Sequence, residues 1–324
     1  MMTPSQLADR IREGIIPILM TPFTADDEID EGALRYQIQW LFEQDKHGDL
    51  VGFLYGGTNA EFYALSDEEY VRATRVIMDE VAGRVPVVAG AMAIGTRNTV
   101  EQAKRIQDLG VDALQIVNPY YITPTQEGAL RHFEAVANAV EVGLELYNNP
   151  LTTHVYITAD TVSRLLDLTG DTYVCIKEYS PTNYDFLQMI EQVGRRMIIL
   201  DNNGPFFGHQ VYAASLGCRS FMIQPQLMAL GSDFMQAIRD QDTARLTDLS
   251  ARTLPLHAFY NRVARDQVDA HIALIKAEME YVGLPAGKPR LPVLPLQREA
   301  ELKDELYRQL EAIGLKRGRP ALAR

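Results

Sequence analysis

Apolar residues along this chain fall in short, nearly unbroken runs, separated by longer stretches in which they recur every three or four positions. The first run, Gly14 to Phe23 (G-I-I-P-I-L-M-T-P-F), reads as a strand buried on both faces and closed by Pro22. The stretch after it opens acidic and then sets Leu34, Ile38, Leu41 and Phe42 on one helical face. The alternation continues to about residue 240. Runs at Leu50 to Tyr55, Val85 to Ala89, Ala113 to Val117, Leu144 to Tyr147, Tyr173 to Ile176, Met197 to Leu200 and Arg219 to Ile223 predict strands. Helical patterns lie between them at 66–82, 98–109, 124–140, 158–168, 182–193 and 207–216, with another opening near Met228. Ser66, Thr125 and Thr158 stand where N-caps belong, and Gly83, Gly110, Gly194 and Gly217 where helices stop.

Eight strand–helix repeats over roughly 230 residues match the size of a closed (β/α)8 barrel, the TIM barrel. A doubly wound open sheet is the competing α/β arrangement. Against it, the first strand runs into T-P-F-T rather than a glycine-rich phosphate turn, and no G-x-G-x-x-G follows a strand. Past residue 240 only helical patterns remain, at 243–263, 267–283 and 299–314, the last two joined by K-P-R-L-P-V-L-P-L, which is apolar enough to pack. The expected organisation is a catalytic barrel over 1–240 and a C-terminal helical region over 241–324 packed on it. The first ten residues read as a polar lead, and R-G-R-P near the end as a solvated tail.

A net charge of −12 argues against binding to nucleic acid or to anionic lipid, both of which need clustered Lys and Arg. No apolar run approaches the ~20 residues that span a bilayer, and the start lacks the pattern of a secretory signal. Cys175 and Cys218 are too few for a disulfide framework or a four-ligand zinc site. A cytoplasmic enzyme with a small-molecule partner is the expectation.

Barrel enzymes take their catalytic groups from the ends of the strands, so those ends are compared first. They read Y-G-G-T-N-A-E-F, N-P-Y-Y, Y-N-N-P, K-E-Y-S and D-N-N-G. Lys177 follows V-C-I directly. An amine at the end of a buried strand either reaches water or is held desolvated, which favours its neutral, nucleophilic form. Structural alternatives stand beside the other groups. Thr58 and Asn59, next to Gly56 and Gly57, suit simple turn chemistry; Tyr147 and Tyr121 suit half-buried aromatics with a wet hydroxyl. The six histidines show no metal-ligand spacing, Cys175 shares the Lys177 face as barrel filling, and Glu178 turns the other way as a structural partner. Asp201, Asn202 and Asn203 either cap a loop or read substrate hydroxyls.

Three motifs occur in order: G-T-N-A-E with L-S over 57–66, Y-N-N-P at 147–150 and I-K-E at 176–178. Together they resemble the dihydrodipicolinate synthase and N-acetylneuraminate lyase family of pyruvate-type class I aldolases, and the likeness runs from the first strand to R-L-P-V-L-P-L. The resemblance implies that Lys177 forms a Schiff base with a 2-oxo acid and that Tyr147 shuttles protons beside it. It implies that Thr58 and Asn59 hold the substrate carboxylate, with Thr58 also in the proton relay. Tyr121 matches a residue lent to the neighbouring subunit, which implies a homo-oligomer, a dimer or tetramer. No cofactor is implied beyond the covalent lysine imine.

The chain departs from the family at Asn59 and Ala60, and in L-D-N-N after the seventh strand. Thr152 stands where dihydrodipicolinate synthases carry an arginine, and a hydroxyl cannot give a carboxylate the paired N–H bonds of a guanidinium. The expected activity is therefore a Schiff-base lyase or aldolase that releases pyruvate from, or condenses it with, an aldehyde, as for a deoxy sugar acid. Thr152, Asp201, Asn202 and Asn203 would then meet the distal part of the substrate. A dehydratase or hydratase using the same imine is the alternative, followed by dihydrodipicolinate synthase proper and a non-catalytic 2-oxo acid binding protein.

Overall fold

In a computed structural model that describes residues 2–202 and 207–319, the alternating runs become eight parallel strands in one sheet. Helix α1 (Pro4–Ile11) precedes β1 (Gly14–Pro17), α2 (Glu31–Gln44) and β2 (Phe53–Tyr55). Then come α3 (Asp67–Val81), β3 (Val87–Ala91), α4 (Thr96–Gln107), β4 (Ala113–Val117) and α5 (Gln126–Ala137). Strand β5 (Gly143–Asn148) leads through the single turn α6 (Pro150–Thr153) to α7 (Ala159–Thr169), and β6 (Tyr173–Glu178) to α8 (Asn183–Val193). Strand β7 (Ile198–Asp201), α9 (Gly208–Ser215), β8 (Ser220–Ile223) and α10 (Met228–Arg239) complete the alternation. Three helices follow: α11 (Thr243–Asp266), α12 (Ala270–Tyr281) and α13 (Glu299–Ala312).

The strand order β1-β8-β7-β6-β5-β4-β3-β2 leaves β1 and β2 at the two ends of the sheet. Bridges from Ile15 to Leu50 and from Ile18 to Leu54 bring those ends together, so the sheet closes into a TIM barrel with a C-terminal helical region. Closure explains the unbroken apolar runs, because each strand has side chains in the barrel and under the helices. The caps are where the sequence puts them: Ser66, Thr125 and Thr158 each accept a bond from the first turn of α3, α5 and α7.

Three expectations need correction. The first strand is shorter than its apolar run: β1 ends at Pro17, and the backbone at Met20 is instead held by the Gln37 side chain at 3.0 Å. The polar lead is α1, capped by a reciprocal Thr3–Gln6 pair. Its two apolar residues, Leu7 and Ile11, are wholly buried among Ile16, Val51, Val88 and Val174 and close the bottom of the barrel. Two apolar positions in one short helix make too faint a periodicity to register. The R-G-R-P segment is not a loose tail over its described part, since Gly318 N–H donates to the Tyr281 carbonyl at 2.9 Å and Arg317 lies over the Tyr307 ring. A side chain on Gly318 would collide with the Val282 carbonyl. Pro320 lies outside the described residues.

Candidate active site

Strands β4, β5 and β6 run in register so that Val117, Tyr147 and Lys177 are neighbours, and one inward layer below them Gln115, Glu145 and Cys175 are neighbours. Lys177 is 6% exposed, and its Nζ lies 5.4 Å from the centre of the Tyr147 ring. Burial pushes the amine down from the ordinary lysine range, and the Glu145 carboxylate pulls it partly back. The sequence motif I-K-E thus splits between two sides of the sheet. Lys177 enters the barrel, while Glu178 meets Asn148 at 2.8 Å and Ser180, and burial raises its carboxyl to about 7.

The Y-N-N-P motif has a separate task for each residue. Asn148 ties down the following loop, donating to the Ile157 carbonyl and accepting from the Ile157 N–H, both at 2.9 Å. Asn149 caps α6 through a bond from Leu151 N–H, and its Nδ2 donates to the Tyr147 hydroxyl at 3.1 Å. Pro150 starts the turn, where a missing N–H costs nothing. Thr152, carried by that turn, places its Oγ1 3.3 Å from the Tyr147 hydroxyl. The phenol is therefore held on two sides by side chains of its own loop.

The turn after β2 comes up against the same ring. Gly57 has φ +65°, and a Cβ there would lie 3.8 Å from the Tyr147 ring; one on Gly56 would lie 3.0 Å from the Gln115 carboxamide oxygen. Thr58 and Asn59 follow directly, Thr58 partly exposed and Asn59 buried. Among the described residues no hydrogen bond joins Thr58 Oγ1 to Tyr147, whose hydroxyl bonds to Asn149 and Thr152 instead. Thr21, just after β1, bonds to the Tyr55 hydroxyl at 2.9 Å and to the Ala60 carbonyl, and so anchors this turn from inside.

The other expected residues sit farther out. Tyr121 is 82% exposed, whereas its neighbour Tyr120 packs near Met92, Val117 and Tyr147 and donates to the Met92 carbonyl at 3.3 Å. Asp201 ends β7, fully buried, with its Oδ1 2.9 Å from His209 Nδ1. The Asn202 N–H donates to the Glu178 carbonyl, and Asn203 lies outside the described residues.

Sequence pattern alone does not single out Glu145 and Gln115. Glu145 is fully buried, accepts a bond from Gln115 Nε2 and lies 3.8 Å from Cys175 Sγ. The signal was available: Glu145 stands two positions before Tyr147, so if one faces the barrel the other does too. Within L-E-L-Y it is one polar letter in a strand-like run.

A sequence profile described as the dihydrodipicolinate synthetase family matches residues 12–313. The chain belongs to that family. It is accordingly a lyase of the class I type, in which a lysine imine with the substrate serves in place of a separate cofactor. Among its relatives is a protein of Methanopyrus kandleri named 4-hydroxy-tetrahydrodipicolinate synthase, 32% identical over 94% of this chain and 97% of the relative. Among solved structures, YagE of E. coli K12, a prophage protein of the same family in complex with pyruvate, is 26% identical with a TM-score of 0.83, covering 94% of this chain and 99% of that one. The chloride-inhibited dihydrodipicolinate synthase of Acinetobacter baumannii, also complexed with pyruvate, is 27% identical with a TM-score of 0.80 over 94% of this chain and 99% of that one. No helix among the described residues is long and apolar enough to cross a membrane.

Proposed function

We propose that Lys177 forms an imine with a 2-oxo acid, and that the reaction makes or breaks the carbon–carbon bond beside the former ketone, joining pyruvate to an aldehyde or releasing it. The observation that carries this reading is an almost fully buried strand-end lysine facing a tyrosine whose hydroxyl is held by two neighbours. The neutral amine adds to the ketone, the carbinolamine loses water, and the protonated imine draws electrons from the adjacent bond. Tyr147 carries the proton that this step moves, as general acid and base. Thr58 and Asn59, with the backbone of their turn, hold the substrate carboxylate. Thr152, at the tyrosine hydroxyl, meets the next part of the substrate, and Asp201, Asn202 and Asn203 its far end. A dehydratase on the same imine would use the same residues.

Synthesis of 4-hydroxy-tetrahydrodipicolinate is the second reading, favoured by the name of the Methanopyrus kandleri relative. Thr152 weighs against it, because the guanidinium expected to hold the second substrate's carboxylate is replaced by a hydroxyl. Tyr121, exposed beside the exposed Ile122, fits a homo-oligomer, dimer or tetramer, in which it reaches a neighbouring site. Two free, buried cysteines fit a reducing cytoplasm.

The test is a panel of hydroxylated 2-oxo acids assayed for products, together with borohydride trapping. Pyruvate plus an aldehyde supports the aldolase, whereas an intact carbon skeleton that has lost water makes it a dehydratase. Pyruvate and borohydride should add mass irreversibly to the wild type and not to Lys177→Ala. No adduct with any of the 2-oxo acids would sink the Schiff-base reading.

A further inference from the structure

The layer beneath the lysine is chemically unusual for a barrel interior. Such layers are filled by Val, Ile and Leu, because nothing there can solvate a charge. Here β4, β5 and β6 contribute Gln115, Glu145 and Cys175 side by side, all buried. An unpaired carboxylate at that depth is costly, and a protein that keeps one surrounds it with donors or a cation. Gln115 supplies a carboxamide N–H and Cys175 a weak thiol donor at 3.8 Å. The cation that acts on Glu145 among the described residues is Lys177, diagonally across the β5–β6 pair and one layer up.

We propose that Glu145 is the built-in counter-charge of Lys177, a positioning residue that sets the amine's charge before substrate arrives and balances the positive imine once it has formed. The inference rests on the reading of Lys177 as the imine-forming residue. Without a fixed anion, burial would push a lysine this deep further toward its neutral form, and the protonated imine that follows would stand alone in a low-dielectric interior. With one, positive charge is tolerated at both stages and the site stays near neutrality between turnovers. Substrate brings its own carboxylate, but that group is to be held by Thr58 and Asn59 at the turn after β2. Glu145 remains in place when substrate leaves.

Burial drives the two groups in opposite directions, the carboxyl up and the amine down, and each opposes the other's shift. The remaining groups about the pair are Tyr147 above Glu145 on β5, Cys175 on β6, whose thiol burial holds well above its ordinary range, and the exposed His271 on α12, whose imidazole the Lys177 charge pushes down.

The experiment reads the amine directly, without substrate. Labelling by acetic anhydride across a pH series, quantified at the Lys177 peptide by mass spectrometry, locates the limb where the free amine appears. In Glu145→Gln the limb should move to lower pH by about one unit or more, the size of effect an adjacent opposite charge has, while Glu145→Asp stays near wild type. A limb in the same place, or at higher pH, overturns the proposal. Should Glu145→Gln not fold, infrared titration of the buried carboxyl in Lys177→Met decides: its protonation midpoint should rise relative to wild type, and an unmoved midpoint overturns the pairing. The labelling shift in Glu145→Gln together with no borohydride adduct in the wild type would leave the charge pair standing and remove the Schiff-base reading instead.

Discussion

Tyr147 shows how much a single side chain's role depends on what holds it. Its hydroxyl lies between Asn149 Nδ2 and Thr152 Oγ1, so the phenol is oriented before substrate enters. If it carries protons at the imine, Tyr147→Phe should still give the borohydride adduct while turnover falls by about a hundredfold or more, the range that positioned acid–base groups supply. Near-normal turnover in single-turnover and steady-state assays would remove the phenol from the mechanism. Lys177 adds a pH dependence. Imine formation needs the free amine, so its rate should rise as pH climbs through a limb lying below the ordinary lysine range, since burial has lowered that pKa. At this scale the sequence was legible where a residue type was out of place. An amine behind V-C-I is conspicuous, whereas Glu145 in L-E-L-Y is not, because its environment is made by two other strands.

Among the elements, the turn after β2 is held chiefly from a distance. Glu61, at φ +53°, forms a buried ion pair with Lys276 of α12 at 2.6 Å, and its Oε2 accepts the Arg290 N–H at 3.0 Å. Lys276 Nζ also donates to the carbonyls of Thr21 and Lys288, both at 3.0 Å, and lies 4.4 Å from the centre of the Phe23 ring. Arg290 adds bonds to Glu69 at 2.8 Å and to Asp27 at 3.2 Å. The C-terminal region thus locks the turn that carries Thr58 and Asn59. Removing one partner strands a buried charge, so Lys276→Met should cost about 3–5 kcal/mol in denaturant unfolding, with the double variant Lys276→Met/Glu61→Gln less affected than the single one. A single-variant loss under about 1 kcal/mol would put the pair in the class of surface ion pairs and deny it this role. The helices themselves were readable from their caps and periodicity. The lock was not, because its halves are more than two hundred positions apart.

For the whole molecule, closure makes the site. Joining β1 to β2 gathers the ends of β2, β4, β5, β6 and β7 around one opening, and α1 seals the opposite end. Tyr121 remains outside this arrangement, 82% exposed, and the proposed oligomer gives it a place. Sedimentation velocity should show a species heavier than the 36.4 kDa chain, and Tyr121→Ala should lower turnover more than it lowers thermal stability. A monomer with full activity at assay concentrations would dismiss the shared tyrosine.

The sequence alone determined the number and order of strands, the barrel and the family, and it pointed to Lys177, because each rests on local signals: period, caps, strand-end chemistry and short motifs. Tertiary structure decided the rest. It set Asn149 and Thr152 on the Tyr147 hydroxyl, Lys276 against Glu61, and Glu145 beneath Lys177. Charge, burial and hydrogen bonding are properties of a place in space, and a residue's neighbours there are chosen by how the whole sheet closes.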